Sequence, residues 1–147
     1  MISVAVSHTA GVARIPAHLV RGWVRRTLES EGIRQADVTV VIIGDRLSRR
    51  LHRRWFGQDS TTDVMAFPLA AVETLEGEVY VNSERARRQA RRFRVTHREE
   101  LLRLVVHGTL HLAGHDDRVV ARARRMRACE DALVDRLAAG HRGVRRR

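Results

Sequence analysis

The segment Asp37–Gly44, D-V-T-V-V-I-I-G, constrains this chain more than any other. Its β-branched side chains are crowded on a helix and fit a pleated surface, so the spacing predicts a strand. Almost every position is apolar, which places that strand at the centre of a sheet, buried on both faces. A central strand needs neighbours. Ile2–Ser7 alternates apolar and polar residues with period two, and Gly77–Asn82, G-E-V-Y-V-N, reads as another strand. V-M-A-F-P-L at Val64–Leu69 is a third candidate, confined to an edge because Pro68 has no N–H for a ladder.

Helical spacing fills the intervals. Pro16 can open a helix over Ala17–Ser30 that turns Leu19, Trp23 and Leu28 to one side and stops near Gly32. Asp45 is a candidate N-cap for a helix carrying Leu47, Leu51 and Trp55 at core spacing, and Ser83 for one with a thin stripe of Ala86, Ala90 and Phe93. Thr96 and Glu99 form a capping-box pair ahead of Leu101–Ala113, and Gly114 supplies the stop. A last helix, about Val119 to Ala139, aligns Val119, Ala123, Met126, Leu133 and Leu137. Trp23, Phe67, Met126 and Cys129 read as packing residues, and His8, His18, His52, His97 and His141 as surface or packing histidines. The expected fold is α+β: one domain over 1–147, with a small mixed sheet of about four strands and about five helices, its tail from about 140 to 147 flexible.

The chain has 147 residues, 44% hydrophobic and 31% charged, enough to build a core without staples. Its single cysteine excludes an intrachain disulfide and fits a reducing compartment. No basic segment leads into a long apolar run, and no apolar stretch reaches membrane-spanning length; a soluble, cytoplasmic protein without a membrane partner is expected. The net charge of +11 comes entirely from arginine, with no lysine. Codon usage accounts for the choice of arginine; the excess charge favours a polyanionic partner, whose phosphates the guanidinium fork suits.

The stretch H-G-T-L-H-L-A-G-H-D-D, His107–Asp117, carries the densest chemistry. His107 and His111 are one helical turn apart, so both imidazoles project from one face and can reach a single ion. Gly114 lets the chain turn back, so that His115, Asp116 or Asp117 can approach the same ion. Gly108 stands where a metalloprotease would carry its glutamate base, which removes that chemistry.

This stretch resembles the H-G-x-L-H-L-x-G-Y-D-H signature of the YbeY-type endoribonucleases, bacterial ribosomal-RNA maturation factors. Two further blocks match in order: T-T-D-V-M-A-F-P at Thr61–Pro68 is similar to T-D-V-L-S-F-P, and Leu75–Ala90 to the family's L-G-D-I-V-I-S…Q-A segment. The resemblance implies one Zn2+ per chain, with His107 and His111 as ligands and His107 at the catalytic centre. The family's third histidine falls on Asp117, whose carboxylate can bind zinc; its tyrosine falls on His115, the alternative third ligand. A site that has lost its metal is the remaining reading. The family's Y-R-G becomes Trp55-Phe56-Gly57, so the arginine expected at the active site is replaced by Phe56, with Arg53 and Arg54 as candidate substitutes.

The implied activity is zinc-dependent, single-strand-specific endoribonuclease cleavage in ribosomal-RNA processing and ribosome quality control. The implied partners are single-stranded RNA, ribosomal-RNA precursors and proteins of the small ribosomal subunit. On the helix S-E-R-A-R-R-Q-A-R-R-F-R, Arg85, Arg88, Arg91 and Arg92 are the candidate phosphate contacts, against a merely solvated basic face. Aromatic residues make up only 4% of the chain, so base stacking is expected to be minor. A carboxylate in place of an imidazole makes the site more negative and predicts slower cleavage with a more alkaline optimum. The competing reading is a catalytically weakened or inactive ribosome-associated RNA-binding factor of the same fold.

Overall fold

The computed structural model describes residues 1–145, with side chains through Ala139. The expected flexibility of the tail, from about residue 140 on, lies outside those described side chains. The elements run β1 (Ile2–His8), α1 (Ala17–Ser30), β2 (Ala36–Ile43), α2 (Asp45–Phe56), β3 (Val64–Ala70), β4 (Leu75–Asn82), α3 (Ser83–Phe93), α4 (His97–Leu112) and α5 (Val120–Arg145). The sheet order is β1-β2-β4-β3. β1, β2 and β4 are parallel, and β3 returns antiparallel to β4 along the edge, where Pro68 costs no ladder bond inward. This is the expected mixed four-stranded α+β domain with five helices. None of the described helices is long and apolar enough to cross a membrane.

Burial on β2 departs from the expectation in an informative way. Ala36, Val38, Val40 and Ile42 are buried, whereas Asp37 is exposed and Thr39 and Val41 are only half-buried. The core is built on one face, where Val20, Trp23, Val24 and Leu28 of α1 and Leu102, Val105, Val106 and Leu110 of α4 meet Val38, Val40, Val79 and Val81 of the sheet. The other face is covered only in part. Ile43 and Met65, of the opposite parity, are buried there, and Trp55 and Phe56 of α2 stand against Phe67 at 6.0 Å between ring centroids. Phe67 in turn meets Tyr80 edge-on at 5.6 Å.

Two helix starts differ by one residue or one role from the sequence reading. Gly44, not Asp45, is the residue before α2, and Asp45 turns its carboxylate to Asn82 and Arg88. Asn82, not Ser83, caps α3, its Oδ1 accepting from the backbone N–H of Glu84 and Arg85 at 3.1 Å each. Thr96 caps α4 as expected, accepting from the Glu99 N–H at 3.1 Å. Three residues placed on core stripes face solvent instead: Trp55 (60% exposed), Phe93 (59%) and Val119 (52%). On α3, Ala86 and Ala90 are buried with Ser83, while Phe93, the third stripe position, is left outside.

Candidate metal centre and cleft

The H-G pair at 107–108 is explained by packing before it is explained by chemistry. α4 lies so close to the sheet that a Cβ on Gly108 would sit 2.5 Å from Val79 Cγ1 and 3.1 Å from Val64 Cγ2. One turn on, Leu112 fills the space that Gly77 of β4 leaves open, 2.6 Å from where its Cβ would be. This close seat aligns α4 with β3 and β4, and His107 and His111 emerge beside the edge strand. Gly114 then adopts φ +103°, a left-handed conformation that ends the helix and turns the chain back. The His115 N–H closes the turn on the Leu110 carbonyl at 3.0 Å.

That turn brings Asp117 to the histidines. His107 Nε2 and His111 Nε2 are 3.1 Å apart, and Asp117 Oδ2 is 3.6 Å from His111 Nε2. His115 points elsewhere, its Nε2 hydrogen-bonded to Glu31 Oε1, while its carbonyl oxygen lies 3.1 Å from His111 Nδ1. Asp116 pairs with Arg118 and Arg122; its hydrogen bonds from Arg118 hold its carboxyl down at about 2. Of the three downstream candidates, Asp117 is the one that shares a position with both histidines.

The outer hydrogen bonds fix the tautomers. A carbonyl can only accept, so His111 Nδ1 donates to His115; Glu130 Oε1, 2.5 Å from His107 Nδ1, accepts from that ring in the same way. Both Nε2 lone pairs therefore face one another, an arrangement that needs a positive charge between them, proton or cation. Their 3.1 Å separation is close to the ~3.3 Å between two nitrogens on one tetrahedral zinc. Two imidazoles held through Nδ1 and one carboxylate form a ligand set that zinc accepts, and the residues fit it. Burial alone would lower the His107 pKa. The Glu130 hydrogen bond and charge outweigh it, helped by Asp63 and Asp117, and raise it. Burial and the neighbouring His107 hold His111 below its ordinary value.

The trio lies in a cleft of about 470 Å³ lined by His52, Phe56, Asp63, Val64 and Pro68 among others. Glu130, missed in the sequence reading, is nearly buried on α5, where Arg103 donates to its second oxygen at 2.7 Å. The signal was present: Glu130 interrupts the stripe of Met126, Leu133 and Leu137, and a carboxylate at a core position requires a partner. Asp63, within the T-D-V block, lines the cleft while its carbonyl accepts from the Asn82 N–H at 2.8 Å. Glu100 is buried with Gln89 donating to it at 2.9 Å, and burial raises its pKa. His52, read as a default histidine, also faces the cleft.

The arginines divide by position. Arg53 approaches Asp59 at 3.9 Å and Arg54 lies over the Trp55 ring at 5.6 Å; from this helix the cleft lining takes His52 and Phe56. Arg85 donates to the Thr61 carbonyl at 2.8 Å and so holds the loop before β3. Arg88 pairs with Asp45 through two bonds of 2.7 and 2.9 Å. Arg91 and Arg92 are exposed on the same helix.

The chain matches the family model described as Endoribonuclease YbeY over residues 7–138. A protein of that name from Chlorobium phaeovibrioides is 35% identical over 133 residues, 90% of each chain. One from Chlorobium chlorochromatii is 37% identical over 123 residues, covering 84% of this chain and 79% of the relative. A solution structure of a Thermotoga maritima protein superposes with TM-score 0.68 at 28% identity, covering 97% of this chain and 93% of that one. Sequence and fold agree across nearly the whole length, and the chain belongs to the endoribonuclease YbeY family.

Proposed function

We propose that this protein is a zinc-dependent endoribonuclease that cleaves single-stranded RNA, with ribosomal-RNA precursors and the small ribosomal subunit as its setting in the cytoplasm. The observation that carries the proposal is the convergence of His107 Nε2, His111 Nε2 and Asp117 Oδ2 within the cleft, each imidazole oriented through its Nδ1. These three residues would hold the ion. Once bound, zinc supplies Lewis acidity and water activation for phosphodiester hydrolysis. The chain's own groups do the rest. Glu130 fixes the His107 ring, and the Asp63 carboxylate in the cleft is placed to accept a proton. Arg53 and Arg54, exposed on the last turn of α2, are proposed to reach the substrate phosphate in place of an arginine at position 56.

RNA is proposed to enter across α2 and α3. Arg91 and Arg92 contact its backbone, while Arg85 and Arg88, whose guanidinium groups already hold Thr61 and Asp45, add charge and keep the loop in place. Phe56 in the cleft lining and its neighbour Trp55 (51% and 60% exposed) offer ring faces on which unpaired bases can stack, a larger part for aromatics than their scarcity suggested. That feature supports a preference for single strands. The test is cleavage of a short single-stranded RNA and its duplex by zinc-loaded protein beside His111→Ala. Single-strand cleavage lost in the variant is the expected result. RNA binding without cleavage by either protein would leave the binding-factor reading.

A further inference from the structure

On the far side of the Gly114 turn lies a second set of ligating groups that the RNA chemistry does not use. Glu31 stands just past the end of α1, His115 on the turn, and Cys129 on α5. One ligand atom from each lies within 4.8 Å of the others, and all three residues are partly buried. Glu31 Oε1 and His115 Nε2 are already in contact. Glu31 and His115 border a recess of about 230 Å³ that includes Gly114, Asp116, Arg122 and Arg125 in its lining. Three separate segments thus bring a carboxylate, an imidazole and a thiol to one point.

We propose that Glu31, His115 and Cys129 form a second metal site, distinct from the histidine–aspartate trio, that takes one zinc-class ion with a thiolate ligand. The ligand chemistry selects the ion: a thiolate with an imidazole suits a borderline-soft cation such as Zn2+ and disfavours Mg2+ or Ca2+. The charges close as well. Binding releases the Cys129 proton to solvent, and the thiolate with the Glu31 carboxylate neutralises a divalent ion. The Arg122 charge in the recess is met by Asp116 at 3.7 Å. The site braces the first one through adjacent residues. The His115 carbonyl orients His111, and Cys129 precedes Glu130, which orients His107.

The inference stands without any RNA chemistry, and its test reads none. Metal-free full-length protein is titrated with cobalt(II), whose near-ultraviolet charge-transfer absorption reports a thiolate ligand. Cys129 is the chain's single cysteine, and the first site contains no sulfur, so any such band belongs to Cys129. The band should survive in His111→Ala, where the first site is disabled and it should saturate at one cobalt per chain, and vanish in Cys129→Ser. Cobalt affinity at the band should fall about tenfold or more in His115→Ala and in Glu31→Gln. Should His115→Ala fail to fold, Glu31→Gln, which exchanges one oxygen for an amide, carries the comparison. No band in the wild type at saturating cobalt would overturn the proposal and leave a hydrogen-bonded Glu31–His115 pair. A band indifferent to both Glu31→Gln and His115→Ala would also overturn it, because the thiol would then be capturing metal without the site.

Discussion

Replacing Gly108 by alanine should destabilise the protein, although the same replacement at Gly22 should stabilise it. A methyl group at 108 meets Val79 Cγ1 at 2.5 Å and Val64 Cγ2 at 3.1 Å, where carbon atoms prefer about 3.5–4.0 Å. Val79 is fully buried and β-branched, so it cannot rotate aside without leaving its rotamer well. α4 must therefore retreat by roughly an ångström, and a contact as close as 2.5 Å places the overpacking cost in the upper part of the usual range, about 2–3 kcal/mol. Helix propensity returns about 1 kcal/mol. The net is a loss of about 1–2 kcal/mol, or about 3–6 °C in Tm for a domain of this size. Gly22, in the middle of α1, has nothing within 4 Å of its would-be Cβ, so alanine there keeps only the propensity gain of about 1 kcal/mol. Urea unfolding of both variants, with unchanged m-values, measures the two signs. A Gly108→Ala protein as stable as wild type would refute the close seat of α4 on the sheet. With it would go the account of how His107 and His111 reach the cleft.

Three further outcomes follow from the site and its supports. Glu130→Gln removes the charge that orients His107 and should weaken zinc binding by about 10–100-fold in a chelator competition, with the fold retained. Asp45, whose carboxyl is held below the ordinary aspartate value chiefly by its hydrogen bond from Arg88, stabilises the fold above the unfolded-state pKa. That contribution disappears as pH falls from about 4 through the depressed folded value, so Asp45→Asn should lose about 1 kcal/mol at neutral pH and flatten the acid limb of the stability profile. Trp23 is buried (2% exposed) and Trp55 is not, so single-stranded RNA should quench wild-type tryptophan fluorescence and leave Trp55→Phe nearly unchanged; equal quenching of both would remove the stacking surface.

The fold was legible where periodicity speaks for one element at a time. D-V-T-V-V-I-I-G announced its strand, Pro68 its edge, and Thr96 and Gly114 the ends of α4. What stayed hidden depended on neighbours. Whether β2 is covered on both faces is decided by where five helices gather, and they leave Thr39 and Val41 half open. The same holds for Trp55 and Phe93: helical spacing names a stripe, but only the packing partner decides how wide a stripe is buried. In the site, the histidine spacing spoke for itself because one helical turn fixes it. Glu130 could not be paired with His107 from sequence, since 23 residues and a tight turn separate them. Nor could the division between Asp117 and His115, which one left-handed glycine sends to opposite sides.

The most direct test of the central claim titrates zinc into metal-free protein while cleavage of a fluorogenic single-stranded RNA is followed, with Asp117→Ala in parallel. Wild-type cleavage should be absent without zinc and rise to saturation with it, while Asp117→Ala stays near background at the same zinc concentrations. Cleavage by the metal-free protein, or by Asp117→Ala at the wild-type rate, would contradict a metal centre built from His107, His111 and Asp117.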